Sequence, residues 1–343
     1  MNRIRSLYSI CWMLAVVTLL GTITCFRSPG GFLGTWSRNR WNVELLKIAA
    51  LSTSTTDTID RYISQRIEQR IGGMQAYTAR NHFHLGRVYE ILGDHEAAIS
   101  SYEGALVSSG VTDLEPSLHS MLLYRLGRLL FTQQFYAKAI PVLQAGVDLA
   151  KTGDHEYAAQ MYWWLAESVY AYQGDKVTYE QYMLAALDRK PTDVGLNQAL
   201  VEHYLSWNDL DKALALSERW SIALPTSSRP VFYTGQVHQK AGDCLAAQVF
   251  YRKAISMEPQ DFLSHFWLAF CDDQMGNLEP AILEFQCAIS LAPSEWWIYR
   301  HLGNTLIKNG QFAEAEDILI KGLSLNPQDG WTQQLLKEAR TRK

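Results

Sequence analysis

The sequence predicts an all-α fold: a solenoid of about seven helix-turn-helix repeats preceded by one N-terminal transmembrane helix. Two observations carry this expectation. Between residues 228 and 327 the chain repeats itself three times at a period of 34, with Gly235, Ala269 and Gly303 one period apart. No stretch alternates strand-like and helix-like patterns, which excludes a dinucleotide fold or a P-loop site.

In chain order, residues 1–31 come first. Leu7 to Phe26 carries no charge, with Arg3 and Arg5 before it and Arg27 after it. At helical rise this run spans about 30 Å, the thickness of a bilayer's hydrocarbon core. It reads as an uncleaved signal anchor stopped by Pro29, Gly30 and Gly31. A cleaved signal peptide lacks a small-residue site in Thr22–Phe26, and lipid attachment at Cys25 lacks the usual small residues before it. A short tail with two arginines normally stays in the cytoplasm, which sends the remaining chain to the extracytoplasmic side of a single-pass membrane protein.

Residues 32–78 read as a linker and capping helices. Trp41, Leu45, Ile48 and Ala49 form one apolar face; Ile59, Ile63, Ile67 and Ile71 form another at i+4 spacing, opposite Arg61, Arg66 and Arg70. Five hydroxyl residues, Ser52 to Thr56, separate the two.

Residues 79–327 hold the repeats. In the three regular units a glycine follows seven places after the small residue (Gly242, Gly276, Gly310), and an alanine follows after twelve (Ala247, Ala281, Ala315). A large residue comes after sixteen (Tyr251, Phe285, Leu319), and a proline closes each unit (Pro259, Pro293, Pro327). The glycine ends a helix in the left-handed conformation, small residues let the paired helices cross closely, and proline stops the second helix. A single hairpin cannot bury its apolar face, so the units stack. Earlier units are less regular: Gln134 and Asn208 replace the turn glycine, Gly174 falls one place late, and Pro141 lies inside a second helix. Residues 328–343 read as a closing helix with Leu335 and Leu336 inward.

The spacing small, small, aromatic or aliphatic, small, proline over 34 residues resembles the tetratricopeptide repeat. The resemblance covers about residues 79–340 and implies a right-handed solenoid whose first helices line a concave groove. Matched residue by residue, the positions it implies as partner-binding are Arg80, Phe83, Arg87, Tyr124, Arg128, Trp163, Phe232, Phe266, Phe270, Trp297 and Arg300. Aromatic and arginine side chains in an exposed groove mark an interaction site for a protein or peptide.

The rest of the sequence excludes more than it assigns. Net charge is −4; without Arg3, Arg5 and Arg27 there remain 28 basic against 35 acidic residues, which argues against a nucleic-acid partner. His82 and His84 point to different helix faces, so no metal site and no cofactor is expected, and no catalytic constellation occurs. Asp272-Asp273 and Asp209–Asp211 read as helix-surface or capping residues, and Cys244, Cys271 and Cys287 as buried thiols. The function expected is a non-enzymatic scaffold or adaptor at a membrane, supporting assembly of a membrane or envelope complex. The alternatives are a permanent subunit of one large membrane complex and an accessory factor for surface-polysaccharide assembly.

Overall fold

The computed structural model of the protein describes residues 79–108, 114–151 and 157–343. The transmembrane helix and capping helices expected before residue 79 lie outside the described residues. Among the described residues no helix is long and apolar enough to cross a membrane.

Their regular structure consists of fifteen helices. They are α1 (Ala79–Leu92), α2 (His95–Val107), α3 (Pro116–Thr132), α4 (Tyr136–Ala150) and α5 (Ala158–Gln173). There follow α6 (Lys176–Arg189), α7 (Val194–Ser206), α8 (Leu210–Ala223), α9 (Ser228–Lys240) and α10 (Cys244–Met257). The last are α11 (Phe262–Gln274), α12 (Leu278–Leu291), α13 (Trp296–Lys308), α14 (Phe312–Leu325) and α15 (Gly330–Arg342).

The chain divides into two compact units, one ending at Gln134 and the other beginning at Phe135. In the first, α1 and α2 pair as a hairpin and α3 packs on α2. In the second, five hairpins run in succession from α5–α6 to α13–α14, with α4 packed on α5 and α15 packed on α13 and α14. The sequence leads one to expect about seven repeats, whereas six hairpins close inside a unit. The remaining pair, α3 and α4, falls on either side of the division at Gln134.

Turn chemistry explains where the helices stop. Gly174, Gly242 and Gly310 have φ of +69°, +84° and +77°, the left-handed region in which a side chain is strained. Gln134 and Asn208 adopt the same conformation, at +63° and +61°, without a glycine's freedom. Aspartates then start many of the following helices: Asp94, Asp175, Asp193, Asp209, Asp243, Asp261 and Asp329 each accept a backbone N–H of the first turn. Helix α4 continues through Pro141.

Inside each hairpin the small residues do what the spacing requires. A Cβ placed on Gly235 would lie 2.8 Å from the Tyr251 ring, and Ala247, Ala254, Ala281 and Ala288 are fully buried. In the C-terminal part Phe266, Phe285, Leu302, Leu306, Leu319, Leu335 and Leu336 form one continuous core.

Two expectations are corrected. Asp272 and Asp273 are buried rather than on the helix surface. They lie at the end of α11, where the next hairpin covers them, and every carboxylate is met by donors. Asp272 accepts from Gln248 at 2.6 Å and Asn277 at 3.2 Å; Asp273 accepts from Thr305 and Lys308. Of the three cysteines among the described residues, Cys271 is buried, Cys244 is half-buried and Cys287 is exposed; all three are free thiols.

Candidate functional site

The first helices carry the side chains that the sequence singles out, and the structure sorts them into separate groups. In the first unit Phe83 is fully buried, packed at 5.9 Å on Tyr102. Arg87 lies 6.0 Å from the Phe83 ring and Arg128 lies 5.9 Å from the Tyr124 ring. Glu90 gathers the charges there: Arg125 at 3.0 Å, Arg128, and the Tyr102 hydroxyl donating at 2.7 Å. Burial raises the Glu90 carboxyl, but the Tyr102 hydrogen bond and the Arg125 and Arg128 charges outweigh it and hold the carboxyl below its ordinary range. Arg80 pairs with Glu115 at 3.6 Å, both exposed. This arginine set is therefore largely engaged within the unit.

In the second unit Trp163 stacks on Trp164 with ring centres 5.4 Å apart and donates its indole N–H to Glu167. Phe232 is buried between Tyr233 and Tyr251. The expectation that these aromatics line an exposed groove fails for Phe83, Phe232 and Phe266. At that helix position the ring points between the two helices of its own hairpin and fills the core, so it is not available to a partner.

Phe266, Phe270, Trp297 and Arg300 come together. Phe262, Phe266 and Phe270 share one face of α11 at i+4 spacing. Trp297 meets the Phe266 ring edge-on at 4.5 Å and lies 6.4 Å from Phe262. His301, one turn further along α13, touches Phe266 at 5.2 Å, Phe270 at 5.9 Å and Trp331 at 5.8 Å. The result is a continuous aromatic surface across α11, α13 and α15, ending in Trp331, which is 47% exposed. Phe262, Phe270 and Trp297 are half-buried, each presenting part of a ring.

Arg300 does not project from this surface as a free charge. Its guanidinium lies 4.4 Å from the centre of the Trp331 ring and 5.2 Å from that of Trp296, and it pairs with Asp329 at 3.4 Å. Asp329 in turn caps α15 through the Thr332 amide. Arg300 thus clamps the closing helix to α13, and holds Trp331 in place. His301 is kept neutral: burial, with the Arg300 charge adding to it and Asp273 opposing it, lowers its pKa from 6.5 to about 4.

Reasoning from the sequence passed over His301 and Trp331. The signal for Trp331 was present, since adding one period of 34 to Trp297 lands on it; Leu263, Trp297 and Trp331 form one row of equivalent positions. Chemically, this face offers ring edges and ring planes, with the Trp297 indole N–H taken by Glu295 at 2.8 Å and its local cation neutralised. It suits apolar and stacking contacts rather than Coulombic recognition.

Fold and surface together define a helical-repeat protein with a partly exposed aromatic face across α11, α13 and α15. More specifically, residues 79–106 and 298–329 match a family model described as tetratricopeptide repeat. No curated protein matches the sequence. Among solved structures, the chain is similar to a tetratricopeptide repeat protein from Parabacteroides merdae, with 15% identity over 76% of this chain and 98% of that one, TM-score 0.55. It is also similar to the C-terminal part of a repeat-containing protein from Cytophaga hutchinsonii, with 13% identity over 74% and 99%, TM-score 0.54. A third is PilW, described as a widely conserved type IV pilus biogenesis factor, with 17% identity over 63% and 98%, TM-score 0.51. At these identities the likeness establishes the fold, a tandem array of tetratricopeptide-type hairpins.

Proposed function

We propose that the protein is a non-enzymatic repeat scaffold held to a membrane by Leu7–Phe26, which docks a peptide or protein partner on the aromatic face of α11, α13 and α15. The observation that carries this reading is the row Leu263, Trp297 and Trp331, flanked by the half-buried Phe270 and backed by the ring network through His301. Tryptophan at the centre of a patch is among the commonest energetic anchors of interfaces. Because Asp329 neutralises Arg300, selection among partners rests on shape and stacking. Anchoring raises the partner's effective concentration at the membrane and so favours assembly of a membrane or envelope complex, on the extracytoplasmic side. The fold likeness to a pilus biogenesis factor is in keeping with that setting.

The test is co-purification of the full-length protein from detergent-solubilised membranes, comparing wild type with a Trp331→Ala, Phe270→Ala variant. The expected result is loss of a specific partner with the melting temperature within a few degrees of wild type. Retention of that partner by the variant overturns the reading. Protease protection in intact cells tests the anchor and its orientation separately.

One observation favours the reading as a permanent subunit. Ile222, Leu245, Val249 and Leu283 on the second helices α8, α10 and α12 are between 63% and 82% exposed, an apolar set that a stable complex would cover. A partner that survives the aromatic variant but is lost on Val249→Lys, Leu283→Lys supports this alternative.

A further inference from the structure

We propose that His265, Glu284 and Cys287 form a surface site for one divalent transition-metal ion of the zinc class, with water in the fourth position. His265 lies on α11; Glu284 and Cys287 lie one turn apart on α12, so they share the face turned to His265. One ligand atom from each side chain, an imidazole nitrogen, a carboxylate oxygen and the Sγ, all lie within 4.8 Å of one another. Bonds of about 2.0–2.3 Å to a tetrahedral ion place such atoms roughly 3.2–3.8 Å apart, within reach of small side-chain rotations.

The imidazole is already oriented as a ligand. Its Nε2 lies 3.1 Å from the Pro259 carbonyl oxygen, an acceptor that holds a hydrogen on Nε2 when Nδ1 bonds a cation. Nδ1 faces the Glu284 carboxylate, 2.7 Å away. Two acceptors that close need a cation between them, either a proton or a metal ion. A backbone carbonyl that fixes the tautomer of a histidine is the usual outer partner of a metal-bound imidazole. A proton alone gives a His265–Glu284 ion pair, which has no use for the neighbouring thiol. A metal ion uses all three groups.

Charge and access agree. On binding, the Cys287 thiol proton leaves to solvent and the thiolate bonds the ion. Thiolate and carboxylate together balance the two positive charges. A mixed sulfur, nitrogen and oxygen set selects a zinc-class ion over magnesium or calcium. His265 is 12% exposed and Glu284 30%, while Cys287 is exposed and leaves an entry path. The sequence led to the opposite expectation, no metal, because nineteen residues separate His265 from Glu284 and only the hairpin brings them together.

The experiment titrates the tag-free, reduced, full-length protein in detergent with Co(II) as a spectroscopic probe, then with Zn(II). Expected are one equivalent of cobalt, a thiolate-to-cobalt charge-transfer band, and its loss when zinc is added. Cys287→Ser removes the band and the zinc-dependent rise in melting temperature; the position is exposed, so the fold is kept. Glu284→Gln weakens binding by at least the roughly 10–100-fold that loss of an outer partner costs. Absence of the band at saturating cobalt overturns the proposal and leaves a His265–Glu284 ion pair only. A band that persists in Cys287→Ser also overturns it, since the thiolate then belongs to another cysteine.

Discussion

The Asp273 carboxylate on α11 accepts hydrogen bonds from the Thr305 hydroxyl at 2.9 Å and the Lys308 ammonium at 2.5 Å, both on α13. These bonds cross from one repeat to the next in a place that hydrophobic packing alone leaves underspecified. Next to it, Asp272 ties α11 back to Gln248 on α10. The two adjacent carboxylates thus link three successive hairpins and fix their register.

This linkage makes Asp273→Ala costly. A hydrogen bond to a charged group contributes about 1.5–3 kcal/mol, and the variant removes two, so a loss near 3 kcal/mol of unfolding free energy is expected. Lys308→Ala should cost under about 1 kcal/mol, because the Lys308 side chain is 41% exposed and solvent takes over its charge. A double-mutant cycle in urea checks the ranking: coupling of Asp273 to the buried Thr305 should exceed its coupling to Lys308. Equal or inverted couplings would mean that the surface ion pair, not the buried hydroxyl, carries the linkage.

Glycine substitutions should separate two physical causes. Gly235→Ala drives a methyl group into the Tyr251 ring at 2.8 Å, and overpacking of this kind costs about 1–3 kcal/mol even though alanine favours the helix. Gly310→Ala meets no atom within 4 Å but must hold φ at +77°, which costs about 1–2 kcal/mol. Tyr251→Leu should relieve the first substitution and leave the second unchanged. If it relieves neither, the close approach at Gly235 is not the source of the loss.

The converse applies at Gln134 and Asn208, which occupy left-handed turns without being glycine. Gln134→Gly should stabilise by about 0.5–1 kcal/mol, the backbone relief less the added freedom of the unfolded chain. Asn208→Gly should gain less, because asparagine tolerates this conformation better. Thermal melts of the two single variants decide it, and a fall in melting temperature for Gln134→Gly counts against the strain.

These turns also show what was legible from the sequence. The 34-residue period gave the hairpins, their turn positions and their crossing points, because each depends on residue size and backbone freedom at fixed spacing. It placed Gln134 and Asn208 at turn positions despite their identity. Side-chain direction was less accessible: Phe83, Phe232 and Phe266 occupy first-helix positions equivalent to that of Arg300, which reaches across to Trp331 and Asp329, yet their rings turn into their own hairpins. Whether a side chain at that position fills a hairpin or reaches outward depends on the volume left by its neighbours, which a repeat pattern does not record. Asp272 and Asp273 read as surface residues for a related reason, since their partners Gln248, Thr305 and Lys308 are 24 to 35 residues distant.

His301 makes the closing region sensitive to acid. Its pKa is about 4 in the fold and near 6.5 when unfolded, so between these values the unfolded chain binds more protons. Stability therefore falls as pH drops from 6.5 toward 4, by at most about 3 kcal/mol, and is fully present above 6.5. Below pH 4 the imidazolium sits among Phe266, Phe270 and Trp331 beside Arg300, a charge those rings compensate only in part. Tryptophan fluorescence should report the change, because Trp331 contacts His301 directly. His301→Phe keeps the ring contacts and removes the proton site, and it should flatten the pH dependence of urea unfolding between 6.5 and 4. If the slope in that range is the same in the variant, the acid sensitivity arises elsewhere, with His84, lowered by burial and by the Arg87 and Arg80 charges, as the group to examine next. The Glu90 carboxyl acts in a different window: held below the ordinary carboxyl value by Tyr102, Arg125 and Arg128, its contribution is complete above pH 4.5 and is lost only as pH falls further.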